Sequence, residues 1–229
     1  MFKLKNLHPA FGAEIIGIDL SGVLEPNDFA QIELALEQYS LVLFRNQIFD
    51  DDSQVAFSRR FGELEYDHVA YGRERKILYI GRIGNIDKHG KQMRANHERV
   101  VFSTGNEMWH SDSSFRPVPT RFSISYAYEV TPEGGELEFV STRSAYARLP
   151  DETKEKIEDL VGIHDYVYSR SKVGPNAVTP SHAESLPPVL QRLVRKNPVT
   201  GEKNYYVCLL YTSDAADERS SVDLGGRRI

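Results

Sequence analysis

Apolar and polar positions alternate with different periods along this 229-residue chain, and the periods mark its elements. Gly12, Gly17 and Gly22 punctuate the apolar run Ala13-Glu14-Ile15-Ile16-Gly17-Ile18-Asp19-Leu20, which reads as short strands and turns. Asn27 or Asp28 can then cap a helix on which Phe29, Ile32, Leu36 and Tyr39 recur at helical spacing, before Leu41-Val42-Leu43-Phe44 forms a short buried strand. A second helix is expected after Asp50-Asp51-Asp52-Ser53, with Val55, Ala56, Phe57 and Phe61 as its apolar side and Gly62 as its stop. Attraction to the positive end of that helix accounts for the acidic cluster without a metal.

Residues 66–105 are polar and weakly patterned, with Ile77-Leu78-Tyr79-Ile80 the clear strand among them, and so read as a long loop region of the kind that forms lids or binding walls. Period two returns in Phe122-Ser123-Ile124-Ser125-Tyr126-Ala127-Tyr128, a turn follows at Pro132-Glu133-Gly134-Gly135, and Leu137-Glu138-Phe139-Val140 begins another strand. Pro150 opens a helix that runs through Lys154, Ile157 and Leu160 and stops near Gly162. Tyr166-Val167-Tyr168 and Asn204-Tyr205-Tyr206-Val207 are further strand candidates, the latter after the turn Pro198-Val199-Thr200-Gly201. The sum is a β-rich core with flanking helices and no βαβ rhythm.

Composition narrows the function classes. With 40% hydrophobic and 27% charged residues the chain suits one globular domain. A net charge of -5 argues against a sequence-independent grip on nucleic acid, and a small-molecule partner is expected instead. No apolar run approaches the roughly 18 residues of a spanning helix, so no membrane partner is expected. The first residues, Met1-Phe2-Lys3-Leu4-Lys5, lack the apolar stretch of a secretory signal, and the single cysteine excludes a disulfide framework; both fit a cytoplasmic location. Self-association into a homo-oligomer is compatible with the sequence, which does not specify it.

The chemistry concentrates in Trp109-His110-Ser111-Asp112-Ser113-Ser114-Phe115. On a strand His110 and Asp112 would point to the same face and Ser111 to the other, so one nitrogen and one carboxylate can reach one metal. That is two-thirds of the 2-His-1-carboxylate facial triad, which leaves open positions on a non-haem Fe(II). Taken alone, the same spacing also suits a surface histidine beside a helix-capping aspartate.

Several stretches, in order, resemble one family. Phe11-Gly12-Ala13-Glu14 through Gly17-Ile18-Asp19-Leu20, Leu43-Phe44-Arg45-Asn46-Gln47, Phe57-Ser58-Arg59-Arg60-Phe61-Gly62 and Gly105-Asn106-Glu107-Met108 leading into Trp109-His110-Ser111-Asp112 are similar to the taurine and 2,4-dichlorophenoxyacetate dioxygenases. Pro132-Glu133-Gly134-Gly135 with Glu138-Phe139, Ala145-Tyr146, His164-Asp165-Tyr166-Val167-Tyr168-Ser169-Arg170 and Asn197-Pro198-Val199-Thr200-Gly201 continue the likeness, which runs from about residue 4 to residue 207. The wording around His110 is nearer the 2,4-dichlorophenoxyacetate branch.

The resemblance implies a mainly β fold with flanking helices, a double-stranded β-helix (cupin-like jelly roll). It also implies Fe(II) with 2-oxoglutarate as co-substrate and O2, hydroxylation of a small, anionic organic substrate, and release of succinate and CO2. His110 and Asp112 match the first histidine and the carboxylate of the iron site. Asn106 falls where relatives turn a polar side chain toward substrate, or it is a turn-forming residue after Gly105. His68 falls in the loop from which relatives present a substrate-facing histidine, or it is a solvated loop residue. Arg170, with His164 and Ser169, either helps bind an anionic substrate or belongs to an ordinary strand-edge network. Neither His97 nor His182 lies in a motif that places it at the metal.

Two departures qualify the implication. Leu137 occupies the place of the family's threonine, whose hydroxyl binds the distal carboxylate of 2-oxoglutarate, so one co-substrate contact is lost or moved. After Val207 the chain resembles nothing in the family, and Cys208-Leu209-Leu210-Tyr211-Thr212-Ser213 onward reads as the conceptual translation of a transposase-type sequencing adapter. On this reading residues 1–207 are a partial dioxygenase domain, incomplete at the C-terminus, and residues 208–229 a non-native tail. The family's third ligand, a distal histidine, and its 2-oxoglutarate arginine are then absent. An inactive truncated fragment or a non-catalytic jelly-roll binding protein is the alternative outcome.

Overall fold

The computed structural model describes residues 2–74, 77–87, 89–174 and 177–212. Its elements are β1 (Lys3–Asn6), β2 (Ala13–Ile16), α1 (Pro26–Tyr39), β3 (Val42–Phe44), α2 (Asp51–Arg59), α3 (His68–Glu74), α4 (Glu98–Thr104), α5 (Thr142–Ala147), α6 (Asp151–Ile157), β4 (Val161–His164), α7 (Tyr166–Ser171), α8 (Pro180–Ser185), β5 (Val189–Arg192), β6 (Val194–Lys196) and β7 (Lys203–Tyr205). They fall into two compact units, one from residues 2–63, 124–155 and 194–205, the other from described residues 64–123, 156–193 and 206–212.

In the first unit β1 pairs antiparallel with β2, and β2 pairs parallel with β3. Pro26 opens α1, where a missing N–H costs nothing, and Ser40 closes it in the left-handed conformation at φ 63°. Neither Asn27 nor Asp28 caps it; Glu25 holds the cap position without a side-chain bond. Asp50 caps α2 by accepting from the Ser53 backbone N–H at 2.7 Å, as the acidic run predicts. The buried residues Ile15, Leu20, Leu24, Ile32, Ala35, Phe49 and Phe57 form one core, with Ile124 and Tyr126 packed against it. Arg143 of α5 donates to the carbonyls of Glu37 and Gln38 and pairs with Glu202 at 2.9 Å, so the last turn of α1, which has no basic residue, receives its cation from elsewhere in the chain.

The second unit pairs β4 with β5 antiparallel, and the hairpin of β6 and β7 belongs to the first. Gly162 lies inside β4 rather than ending a helix, since α6 stops at Ile157; a Cβ there would sit 3.3 Å from Leu193 Cδ1. Tyr166-Val167-Tyr168 is helical, contrary to its strand-like composition, because Asp165 accepts from the Tyr168 N–H at 3.1 Å and starts α7. The loop region 66–105 holds α3 and α4, while Ile77–Ile80 joins no strand. Phe115, Tyr166, Leu186, Cys208, Leu210 and Tyr211 make this unit's core. The proposed tail thus begins inside a packed cluster, and residues 213–229 of it lie outside the described residues.

Strand content differs most from expectation. The described sheets have three, two and two strands, and the continuous jelly roll implied by the resemblance does not form as extended ladders. Residues 122–127 alternate half-buried and exposed, with Phe122, Ile124 and Tyr126 facing inward, yet no ladder pairs them. Period two reports which way side chains face; a strand also needs a neighbouring backbone to take its N–H and C=O groups, and no described segment does so here.

Candidate metal centre

His110 and Asp112 meet without a strand, since residues 109–112 are irregular. The His110 Nδ1 lies 2.7 Å from the Met108 carbonyl, which calls for the proton on Nδ1 and leaves Nε2 as the nitrogen turned toward Asp112. That Nε2 is 3.3 Å from Asp112 Oδ1. Two donors each about 2.1 Å from one cation and at right angles lie about 3.0 Å apart, so the pair fits two neighbouring positions of a facial set. The hydrogen bond that His110 donates to Asp112 raises the His110 pKa, outweighing partial burial, and the same bond first, then one donated by Ser123, lowers that of Asp112. The two groups hold each other charged, as a cation would otherwise do for the carboxylate. Among the described residues no group of three His, Cys, Asp or Glu side chains converges.

The chain immediately after the pair is anchored at several points. Ser113, at φ 57°, donates its hydroxyl to Glu65 at 2.8 Å, and Arg116 pairs with the same carboxylate at 2.8 Å. Buried Gln191 of β5 donates to the carbonyls of Ser114 and Arg116 at 2.9 and 2.7 Å. Phe115, only 3% exposed, stacks tilted against Tyr166 and Tyr211 with centroids 4.8 Å away in both cases.

The chain before the pair is held by Arg170. Its guanidinium is 2% exposed, donates to Asn106 Oδ1 at 2.7 Å and to the Phe102 carbonyl at 3.2 Å, and lies over the rings of Phe102 and Tyr166. Gly105 is required between those two acceptors, because a Cβ there would come within 2.6 Å of Arg170 Nη1 and 2.7 Å of Val173 Cγ2. The structure thus brings Asn106 and Arg170 together as partners of each other.

His68 starts α3, which Asp67 caps through the N–H groups of Val69 and Ala70. Its ring meets Phe115 and Tyr166 edge-on at 4.9 Å and lies 5.8 Å from His182. Burial first, then the charge of His182, holds its pKa down at about 3. It is therefore neutral, and half-buried among these rings rather than solvated. His182, 0% exposed, is a member of this cluster that its sequence context left without a role; the Thr179-Pro180 cap that starts α8 was the readable signal for its helix. His164 is buried, with Nε2 3.3 Å from Thr212 Oγ1 and its ring parallel to Tyr206, while the Ser169 hydroxyl donates to the Tyr166 carbonyl. His97 caps α4 through the Arg99 N–H. Leu137 belongs to the first unit and is 77% exposed. Ser123, which the pattern marked only as the polar face of a strand, donates to Asp112 Oδ2 at 2.8 Å.

No helix among the described residues is long and apolar enough to cross a membrane. The chain is 32% identical over 204 residues to an alpha-ketoglutarate-dependent 2,4-dichlorophenoxyacetate dioxygenase of Burkholderia sp. (strain RASC), covering 88% of this chain and 69% of that protein. It is 29% identical over 214 residues to a (S)-phenoxypropionate/alpha-ketoglutarate-dioxygenase of Sphingobium herbicidovorans, covering 90% and 70%. Among solved structures, AAD-2 in complex with Mn(II) and N-oxalylglycine matches with a TM-score of 0.81 and 35% identity over 95% of this chain and 75% of that one. The family described as taurine catabolism dioxygenase TauD, TfdA matches residues 3–223. With a likeness that runs through both units, the chain belongs to the TauD/TfdA family of 2-oxoglutarate-dependent dioxygenases.

Proposed function

We propose that this chain carries the iron-ligand half of an Fe(II)- and 2-oxoglutarate-dependent dioxygenase that hydroxylates a small organic anion. The observation that carries the reading is the 3.3 Å approach of His110 Nε2 to Asp112 Oδ1, with Nδ1 already committed to the Met108 carbonyl. The relatives' named substrates, 2,4-dichlorophenoxyacetate, phenoxypropionate, a sulfonate and sulfate esters, are all acids, which supports an anionic substrate here. Within this reading the double-stranded β-helix is completed by segments outside residues 1–207, which also bring the distal histidine, and residues 208–229 are adapter-derived. Burial of Cys208, Leu210 and Tyr211 in the second core does not distinguish origins, because any apolar segment at that place leaves water for the cluster.

When bound, Fe(II) with 2-oxoglutarate and O2 supplies the oxidising power, and the co-substrate leaves as succinate and CO2. His110 and Asp112 hold the metal; the Met108 carbonyl keeps the imidazole in the right tautomer. Glu65 and Gln191 fix the turn that follows, and Arg170 fixes Asn106 four residues upstream, where its amide is available to orient substrate. The aromatic wall of Phe115, Tyr166 and His68 excludes water from that side.

The test is succinate release from 2-oxoglutarate by the product of an intact gene read through codon 207, supplied with Fe(II) and a panel of aryloxy and sulfonic acids. Substrate-dependent succinate that His110→Ala abolishes is expected; no succinate and no co-substrate binding sinks the reading. Leu137 favours one second reading, a jelly-roll binding protein that has lost co-substrate chemistry. Tight acid binding without 2-oxoglutarate consumption would select it.

A further inference from the structure

A carboxylate offers two oxygens, and which of them faces a cation decides how many coordination positions it occupies. Asp112 is 59% exposed at its side chain, so packing alone does not set the rotation of its carboxylate. Two contacts set it instead: Oδ1 faces His110 Nε2 at 3.3 Å, and the Ser123 hydroxyl donates to Oδ2 at 2.8 Å. The hydroxyl belongs to a residue eleven positions downstream, on the outward phase of the alternating segment 122–127. With Oδ2 engaged by an O–H donor, Oδ1 alone is presented beside the histidine.

Resting on the reading of His110 and Asp112 as metal ligands, we propose that Ser123 is a positioning residue that keeps Asp112 a one-oxygen ligand. A carboxylate gripping the cation through both oxygens would occupy a second position, and the facial arrangement depends on leaving positions open for co-substrate and O2. The hydroxyl does this by claiming one lone-pair set in a charge-assisted hydrogen bond, the same device by which partners of metal ligands elsewhere orient them. Met108 and Ser123 then act as a pair, one fixing the nitrogen that faces the metal and the other fixing the oxygen.

The experiment uses the product of an intact gene read through codon 207, the same protein on which the dioxygenase reading is tested. Mn(II) affinity is read from the resonance of the free ion, and Co(II) is used for its ligand-field absorption, in the unaltered chain, Ser123→Ala, Ser123→Thr, His110→Ala and Asp112→Ala. Loss of an outer partner of this kind costs about tenfold in metal affinity at the least, so Ser123→Ala is expected to weaken Mn(II) by that factor and to shift the Co(II) bands. Ser123→Thr, which keeps the hydroxyl, should restore both, and the thermal midpoint should not move because Ser123 is exposed. Ser123→Ala with unaltered affinity and an unaltered Co(II) spectrum overturns the positioning role while leaving the metal site standing. No uptake by the unaltered chain, or uptake that survives His110→Ala and Asp112→Ala, overturns the metal reading and this role with it.

Discussion

The two units solve the problem of a core in opposite ways. The first buries Ile15, Leu20, Leu24, Ile32, Ala35, Phe49 and Phe57, with phenyl rings meeting at centroid distances from 4.8 Å (Phe29 and Phe61) to 6.4 Å (Phe44 and Phe57). The second buries Phe115, Tyr166 and Tyr211 together with His164, His182, Ser114, Ser169, Arg170 and Gln191. Apolar surface removed from water stabilises wherever it is buried, whereas each buried polar group stabilises only with its partner in place. The unit with the costlier core is also the one that holds His110 and Asp112. Its interior is specified by hydrogen bonds and charge, which fixes side chains to the precision that chemistry needs.

Phe57→Ala should show the largest effect, because the ring is 6% exposed and contacts the rings of Phe44, Phe49 and Phe61. A loss of about 3–5 kcal/mol is expected in urea unfolding, the same at pH 7 and pH 5. A loss that depended on pH would break the contrast between the units. Arg170→Met keeps the stem but strands the Phe102 carbonyl and the Asn106 amide oxygen, for about 2–3 kcal/mol. Denaturation of that variant with no change in midpoint would show the second core to be held by apolar contacts after all.

The smallest effect is the most specific. His68 keeps its pKa near 3 in the folded chain, while in the unfolded chain it has the ordinary value of about 6.5. Between those values the unfolded state takes up the proton and the folded state does not, so stability falls as pH falls. The contribution reaches about 1.4 kcal/mol per unit, hence about 2 kcal/mol between pH 6.5 and pH 5. Thermal unfolding of His68→Phe at pH 7 and pH 5 should show a correspondingly smaller gap than the parent chain. An equal gap in both would mean that the ring is reached by water.

Much of this was legible from residue order. Helical spacing located α1, and the acidic run before Gln54 located α2 and its cap. That His110 and Asp112 face each other was readable from their spacing, although the geometry arises without a strand, with His110 held by the Met108 carbonyl. What composition could not give was pairing. Phe122 to Ala127 obeys the strand period in its facing and lacks a ladder, since hydrogen-bond partners are set by distant segments. Tyr166-Val167-Tyr168 has strand-forming side chains, but a single aspartate at position 165 starts a helix there and thereby stacks Tyr166 beneath Arg170 one turn on. Asn106 and Arg170 both lie in family-like stretches, but that each is the other's partner is a fact of the fold, which brings together positions 64 residues apart.

Arg143 carries a consequence for the order of folding. The Glu37 and Gln38 carbonyls at the end of α1 wait for a guanidinium 106 and 105 residues later in the chain. Closing a loop of that length is slow relative to winding a helix. During synthesis the last turn of α1 therefore gains these two donors only after α5 has been made and has docked.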